Sequence, residues 1–201
     1  EFMYEDHLTA SGKLKWASPE LREEKLERFK NTFQLNDLYY GRYIDNYLLI
    51  FLSPDVTNGR YLTEISTEQL SWLEKTLAAN KTRPTLIFFH APLAGTLASY
   101  NKDANTPNFV AQPEKQLHDL LMNNPQILLW VSGHTHTPAT NPSFDAPINF
   151  YEGKILDLHN PTLDGKTIWT NSIYLYPDKI SIRTYNHQTG EFVENLDRTI
   201  P

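Results

Sequence analysis

Three short runs of apolar residues stand out in the middle of the chain, at positions 47–52, 85–89 and 127–131. Runs of this length that are apolar on both faces are typical of strands covered on both sides of a sheet. Between these runs, leucines recur at helical spacing after Ser66 and again after Pro113. The alternation of buried strands with amphipathic helices predicts a βαβαβ unit with parallel strands joined by right-handed crossovers.

The segment before this unit has the pattern of an amphipathic helix. Ser18 and Pro19 suit the N-cap and the first residue of a helix. We expect one apolar stripe that includes Phe29 and Phe33, with the charged run at 22–25 on the solvated face.

Alternating patterns on either side of the unit predict antiparallel strands. A strand at 39–43 and an Asp45-Asn46 turn predict a hairpin with the first apolar run. After residue 137 prolines indicate a loop, and alternation over 169–176 and 180–185 predicts a second hairpin, followed by a short strand near Phe192. We therefore expect one α/β domain over residues 1–201 with a C-terminal section rich in β-structure.

The composition excludes several classes of protein. Hydrophobic residues make up 40% of the 201 positions, which excludes an intrinsically disordered chain, and the absence of cysteine excludes a disulfide scaffold, a zinc ribbon and thiol catalysis. A net charge of −6 lacks the basic footprint of a general nucleic-acid binder but is compatible with a small anionic substrate. We find no apolar run that approaches the ~20 residues of a membrane-spanning helix, and no signal-peptide pattern. We therefore expect a soluble protein, and the sequence does not indicate its cellular compartment.

Three histidines directly follow predicted buried strands. His90 follows the second apolar run, and His134 and His136 follow the third in the sequence Gly133-His134-Thr135-His136. Ligands bind at the carboxyl edge of open α/β sheets, and residues i and i+2 of an extended segment point the same way. Gly133 is expected to permit a sharp turn and a close approach of the backbone. Neutral imidazoles suit Zn, Mn, Fe or Ni, so we expect these three side chains to converge on a metal site.

Other interpretations of the histidines remain open. A single histidine at a strand end is usually a hydrogen-bonded loop residue, and an isolated His-x-His pair is a weak metal motif. His118 is expected to be a surface or half-buried helix residue. His7, His159 and His187 lie in polar stretches and receive no role, although His159 is the one of these that most invites attention.

Two motifs of the chain resemble those of the calcineurin-like metallophosphoesterases. The sequence Phe88-Phe89-His90-Ala91-Pro92-Leu93 is similar to the family's hydrophobic strand that ends in His-x-Pro. The sequence Val131-Ser132-Gly133-His134-Thr135-His136 is similar to its Gly-His-x-His motif. The segments 67–73 and 182–187 also resemble family members, and the resemblance extends over residues 38–195.

The resemblance implies a fold, a cofactor and a reaction. The fold is a β-sandwich flanked by helices, and the site binds two divalent ions (Mn, Fe or Zn) that share a bridging aspartate and a bridging water. By the resemblance, His90 and His134 bind one ion and His136 binds the other. The reaction is hydrolysis of a phosphomonoester or phosphodiester by the metal-bridging hydroxide, with a phosphorylated small molecule or another phosphoester as substrate.

The chain departs from the family pattern in its first half. The family carries Asp-x-His, Gly-Asp-x-x-Asp and Gly-Asn-His-Asp ahead of its His-x-Pro strand, and we find no counterparts here in that order; Glu5-Asp6-His7 does not match. We therefore expect an incomplete, C-terminal part of such a domain that holds at most one ion. A fourth ligand from Asp55, Asp103 or Asp145 is left open. We also expect the strands normally paired beside its central strands to be missing, which would leave unpaired strand edges and apolar surface that favour self-association.

Three functions are compatible with these patterns. The first is a metal-dependent phosphoesterase of which this chain carries three histidine ligands, while the isolated chain is inactive. The second is an inactive module for binding or assembly. The third is a hydrolase with a single ion held by His90, His134 and His136. Catalytic and substrate-binding residues and the substrate itself are not indicated by the sequence.

Overall fold

The larger of two β-sheets has four parallel strands at its centre. The computed structural model describes residues 2–99, 102–163 and 168–201. The strands of this sheet are β1 (Tyr40–Ile44), β2 (Tyr47–Phe51), β3 (Thr85–Phe88), β4 (Ile127–Ser132), β5 (Phe150–Tyr151) and β6 (Ile155–His159). Their order across the sheet is β1-β2-β3-β4-β6-β5, with β2, β3, β4 and β6 parallel and the two edge strands antiparallel. This confirms the predicted βαβαβ unit and the hairpin that precedes it.

A smaller antiparallel sheet packs on one face of the larger one. Its strands are β7 (Trp169–Leu175), β8 (Ile180–Asn186), β9 (Glu191–Phe192) and β10 (Arg198–Ile200), with β8 between β7 and β10 and also paired with β9. Ile180 and Ile182 pack in one core with Leu129 and Leu158 of the larger sheet. The two sheets therefore form the expected β-sandwich.

Two helices pack on the opposite face of the larger sheet, and another lines clefts at its carboxyl edge. The helices are α1 (Pro19–Phe33), α2 (Thr67–Ala78) and α3 (Glu114–Met122). Leu73 of α2 and Leu117 of α3 belong to the core that contains Ile87 and Trp130. Ser18 and Ser66 are the N-caps of α1 and α2, because each side chain accepts a hydrogen bond from the backbone of the first turn. Among the described residues, none of the helices is both long and apolar enough to cross a membrane.

The predicted faces of α1 are wrong at both ends of the helix. Arg22 and Lys25, expected in solvent, are 6% and 8% exposed, whereas Phe29 and Phe33, expected inward, are 44% and 61% exposed. Arg22 is buried because Nε donates to the Ala17 carbonyl at 2.9 Å and Nη1 donates to the Thr57 carbonyl at 2.7 Å. Long basic side chains can cover apolar surface while their heads reach such acceptors, so charge alone does not identify a solvated face.

The central strands of the larger sheet have neighbours on both sides. β2 lies between β1 and β3, and β6 lies between β4 and β5. The expectation that the central strands lack a partner is therefore wrong. β5 is only two residues long and pairs with Ile155 and Leu156, so it covers the first part of β6 and not the end that carries His159.

Candidate metal centre

The rings of His90 and His134 lie side by side at the carboxyl edge of the larger sheet. His90 follows β3 and His134 follows β4, and these neighbouring strands are parallel. The ring centroids are 4.5 Å apart, with the ring planes inclined at 53°. His90 is exposed and His134 is buried, so the pair stands at a border between core and solvent. Two of the three predicted ligands are thus brought together by the pairing of two strands.

Backbone groups hold this pair in place. The Gly133 amide donates to the His90 carbonyl at 3.0 Å, which joins the two loops directly. The Nε2 atom of His134 lies 2.8 Å from the Asn108 carbonyl oxygen, and the Phe109 ring stacks on the His134 ring at 5.0 Å. Because a carbonyl oxygen only accepts, Nε2 carries the proton, and a neutral His134 ring has its lone pair on Nδ1. A hydrogen bond of this kind is a common means of orienting a metal-binding imidazole.

The segment from Gly133 to His136 is not extended. The φ angles of His134 and His136 are 65° and 52°, in the left-handed region, so the rule that i and i+2 point the same way does not apply. His136 is exposed, and its assignment as a ligand remains a prediction. The backbone of Gly133 does approach that of His90 closely, but a Cβ there would meet the His90 carbonyl oxygen at an ordinary 3.8 Å, so the approach does not require glycine.

The aspartates considered as a fourth ligand have other contacts. The carboxylate of Asp55 accepts hydrogen bonds from the backbone amide and the hydroxyl of Ser66, both at 2.6 Å, and so stabilises the start of α2. Burial raises the pKa of Asp55, and its hydrogen bonds with Ser66 oppose that shift. Asp145 lies 3.9 Å from Nε of Arg198. Asp103 accepts a backbone hydrogen bond from Thr106 through its carbonyl oxygen.

Sequence reasoning missed a buried polar cluster at the end of β6. Asp157 and His159 are 0% and 1% exposed, and both lie beside Ser132 at the end of β4. The Ser132 hydroxyl donates to Oδ1 of Asp157 at 2.7 Å, and Nδ1 of His159 lies 3.1 Å from the same hydroxyl. Asp157-Leu158-His159 is an Asp-x-His triplet in the second half of the chain, and this triplet is the sequence signal that indicates the cluster.

Two clefts border the exposed side of His90. One has a volume of about 530 Å³ and is lined by α1, including Phe29 and Phe33; the other, of about 420 Å³, runs along the ends of the strands to Gly133 and Asn160. Phe29 and His90 line both clefts. Volumes of this size suit a small molecule, so His90 has access to solvent and to a ligand.

A further histidine lies in a separate depression on α3. His118 is half-buried, as expected, and its Nδ1 lies 2.9 Å from the Tyr151 hydroxyl. Burial, together with the charges of Glu152, Glu114 and Asp119, raises the pKa of Tyr151 to about 12. Tyr151 is therefore neutral at physiological pH and hydrogen-bonds to His118 as a phenol.

The described residues fit part of a metal centre. Imidazoles of His90 and His134 are adjacent and one is oriented by a carbonyl, which suits two ligands of one divalent ion. Within ranges 2–99, 102–163 and 168–201, no group of three or more His, Cys, Asp or Glu residues is arranged to hold a metal. Two ions about 4 Å apart need an anionic bridge, so the described part of this chain does not form a dimetal centre by itself.

Comparisons with known proteins identify the family and the fold of this chain. A family model described as calcineurin-like phosphoesterase matches residues 10–138, which is more than half of the chain. Among solved structures, the fold is similar to the crystal structure of a dimetal phosphatase from Danio rerio, with a TM-score of 0.61 and 16% sequence identity. That alignment covers 92% of this chain and 68% of the zebrafish chain. A comparison with curated protein sequences gives no match.

Proposed function

This chain belongs to the calcineurin-like phosphoesterase family, and on that premise we propose that it supplies the histidine side of a metal-dependent phosphoesterase site. The observation that carries the proposal is the 4.5 Å approach of the His90 and His134 rings at the carboxyl edge of the sheet. Parallel strands bring their following loops to one edge, which is where α/β proteins bind ligands. The family motifs and this geometry thus agree on the same two residues.

Each histidine has a defined part in the proposal. His90 and His134 hold one divalent ion (Mn, Fe or Zn), and His134 uses Nδ1 because Nε2 donates to the Asn108 carbonyl. His136 serves a second ion, as the family resemblance implies. A bound divalent ion supplies Lewis-acid chemistry and neutralises negative charge on phosphoryl oxygens. The carboxylate ligands of the complete site are supplied by residues other than these three histidines. The isolated chain binds one ion and is inactive.

The cleft beside His90 supports a small substrate. It opens to solvent, and its volume of about 530 Å³ suits a phosphorylated small molecule. The net charge of −6 does not favour a nucleic-acid backbone as the general ligand. We propose a phosphomonoester or phosphodiester of small size as the substrate.

Metal binding by single variants tests this proposal. Zn²⁺ titrated calorimetrically into the chain is expected to bind at one site, and His90→Ala and His134→Ala are each expected to weaken binding at least about tenfold. His187→Ala is the matched control, because its ring contacts Tyr185 and the Thr170 hydroxyl on the smaller sheet. Equal affinities for wild type, His90→Ala and His134→Ala would contradict the proposal.

A second candidate is an inactive module for binding or assembly. It is favoured by Phe29 and Phe33, whose rings lie 4.9 Å apart on the exposed side of α1. Exposed aromatic patches of this kind favour association, including of two copies of the chain. Sedimentation of wild type against the Phe29→Ser/Phe33→Ser double variant tests it, with Phe150→Ser on β5 as control. Phosphodiester hydrolysis with added Mn²⁺ that His136→Ala abolishes would reject an inactive module.

The single-ion centre with three histidines receives no support from the described residues. His90 and His134 are adjacent, but no third ligand joins them in a group that could hold an ion within the described ranges. A structure of the chain soaked with Zn²⁺ in which His136 coordinates together with His90 and His134 would restore this candidate.

A further inference from the structure

One buried carboxylate joins the two loops that carry His90 and His134. Oδ2 of Asp157 accepts a hydrogen bond from the Leu93 amide at 2.7 Å, three residues after His90. Oδ1 of the same side chain accepts one from the Ser132 hydroxyl at 2.7 Å, two residues before His134. Each oxygen of Asp157 thus contacts a different loop of the candidate site.

The position of β6 explains this bridge. Trp130 of β4 lies opposite Asp157, and Ser132 lies opposite His159, in the parallel pairing of the two strands. Alternate residues of a strand face the same side, so Asp157 and His159 share one face, and Leu156 and Leu158 pack in the core between the sheets. The polar pair therefore lies under the loop that follows His90.

Thr96 and His159 complete the cluster. The Thr96 hydroxyl lies 2.8 Å from Oδ2 of Asp157 and 2.8 Å from the Leu93 carbonyl oxygen. Nε2 of His159 lies 3.3 Å from the Thr96 carbonyl oxygen, so the histidine connects the loop to Ser132 from the other side. Thr96, Ser132, Asp157 and His159 are all at most 2% exposed.

The burial of this cluster argues against direct contact with substrate. Burial raises the pKa of Asp157, whereas His159 and the three donors around the carboxyl group oppose that shift. A buried carboxyl group is tolerated only where hydrogen bonds compensate for lost hydration, and this one has three donors within 2.8 Å. Such a group fixes the backbone around it rather than reacting.

We infer that Asp157 is a positioning residue, which holds the loop after β3 against the end of β4 so that His90 and His134 stay adjacent. The predicted effect on metal binding rests on the proposed function. The contact between the two loops can be measured separately, by hydrogen exchange. The Gly133 amide donates to the His90 carbonyl at 3.0 Å, so its hydrogen exchange measures whether the two loops remain together. The Leu48 amide, bonded to the Pro84 carbonyl at the opposite end of the sheet, reports global unfolding.

The test compares variants that remove single links. Ser132→Ala removes the link to β4, and Thr96→Val removes a hydroxyl at nearly constant shape, whereas Thr96→Ser keeps that hydroxyl. We expect Ser132→Ala, Asp157→Asn and Thr96→Val to speed hydrogen exchange of the Gly133 amide about five- to tenfold while exchange of the Leu48 amide is unchanged. Thr96→Ser is expected to keep the wild-type protection of Gly133.

We also expect Zn²⁺ affinity to fall about 10- to 100-fold in Ser132→Ala and Asp157→Asn. Ser181→Ala on β8 is the control.

The outcomes separate this inference from the proposed function. Unchanged Gly133 exchange in Ser132→Ala and Thr96→Val overturns the inference, as does faster exchange with wild-type Zn²⁺ affinity. If wild type binds no Zn²⁺, the proposed function fails, and exchange alone decides whether Asp157 holds the loops together. If Asp157→Asn does not fold, the two threonine variants give the answer.

Discussion

His134 donates a hydrogen bond through Nε2 to the backbone carbonyl of Asn108, 26 residues earlier in the chain and 2.8 Å away. The bond fixes both the tautomer and the direction of the ring. Glutamine can make the same donation through its side-chain amide but binds divalent metals poorly. We predict that His134→Gln keeps a higher free energy of unfolding than His134→Ala while losing Zn²⁺ affinity as completely as that variant. Urea unfolding and calorimetric titration measure the two quantities, and a His134→Gln variant as unstable as His134→Ala would refute the prediction.

The stacked ring of Phe109 is expected to restrict the motion of His134. Its centroid lies 5.0 Å from the imidazole with an angle of 27° between the planes. Aromatic pairs contribute about 0.5–1.5 kcal/mol beyond area burial, so we predict that Phe109→Ala weakens Zn²⁺ binding by about two- to tenfold. Phe150→Ala, at an exposed position of β5, is the control. A Phe109→Ala variant with the affinity of wild type would show that the ring does not matter for the site.

Two arginines of α1 should differ sharply in their effect on stability. Arg22 is buried and donates to two backbone carbonyls, whereas Arg28 is exposed and reaches Asp6 only at 3.5 Å. We predict that Arg22→Ala lowers the free energy of unfolding by about 2–4 kcal/mol, because the buried Ala17 carbonyl and the partly buried Thr57 carbonyl lose a charged donor. Arg28→Ala is expected to change it little. Urea denaturation of both variants measures this difference in stability, and equal midpoints would contradict the contacts described for Arg22.

The buried carboxyl group of Asp55 makes stability depend on pH. Burial raises its pKa in the folded state above the ordinary value of 3.8, so the folded state binds more protons than the unfolded state between these two values. The contribution of Asp55 to stability is therefore fully present below pH 3.8 and decreases as the pH rises through the folded pKa. We predict that the difference in unfolding free energy, wild type minus Asp55→Asn, falls over that interval and is constant above it. Urea midpoints of both proteins from pH 3 to pH 7 test the sign, which would be reversed if hydrogen bonds with Ser66 dominated.

Much of the architecture could be predicted because, along the central strands, the pattern of apolar residues in the sequence agrees with the burial of those residues in the structure. The run at 127–131 is apolar on both faces, and the structure places β4 between two sheet neighbours and two packed layers. The helix caps at Ser18 and Ser66 were equally predictable, since their signals are local.

The parts that escaped prediction depend on contacts between distant segments. β6 alternates leucines with Asp157 and His159 and so has the pattern of a half-exposed segment, yet Ser132, Leu93 and Thr96 satisfy its polar groups in the core. Arg22 has the sequence pattern of a solvated residue until the Thr57 carbonyl, 35 residues away, provides its acceptor. At the site, His90 and His134 could be paired from strand order, whereas the left-handed backbone of His136 has no signal in the sequence.

The left-handed backbone at His134 and His136 has a consequence for how this loop tolerates change. Glycine adopts φ angles of 65° and 52° without penalty, whereas each L-residue there costs on the order of 1 kcal/mol. Substituting glycine for the exposed His136 should therefore give a protein that unfolds at higher temperature and has lost an imidazole, whereas at His134 the same change also removes the contacts with Asn108 and Phe109. The backbone of His136 therefore favours glycine over histidine, and the proposed metal binding would account for an imidazole at that position.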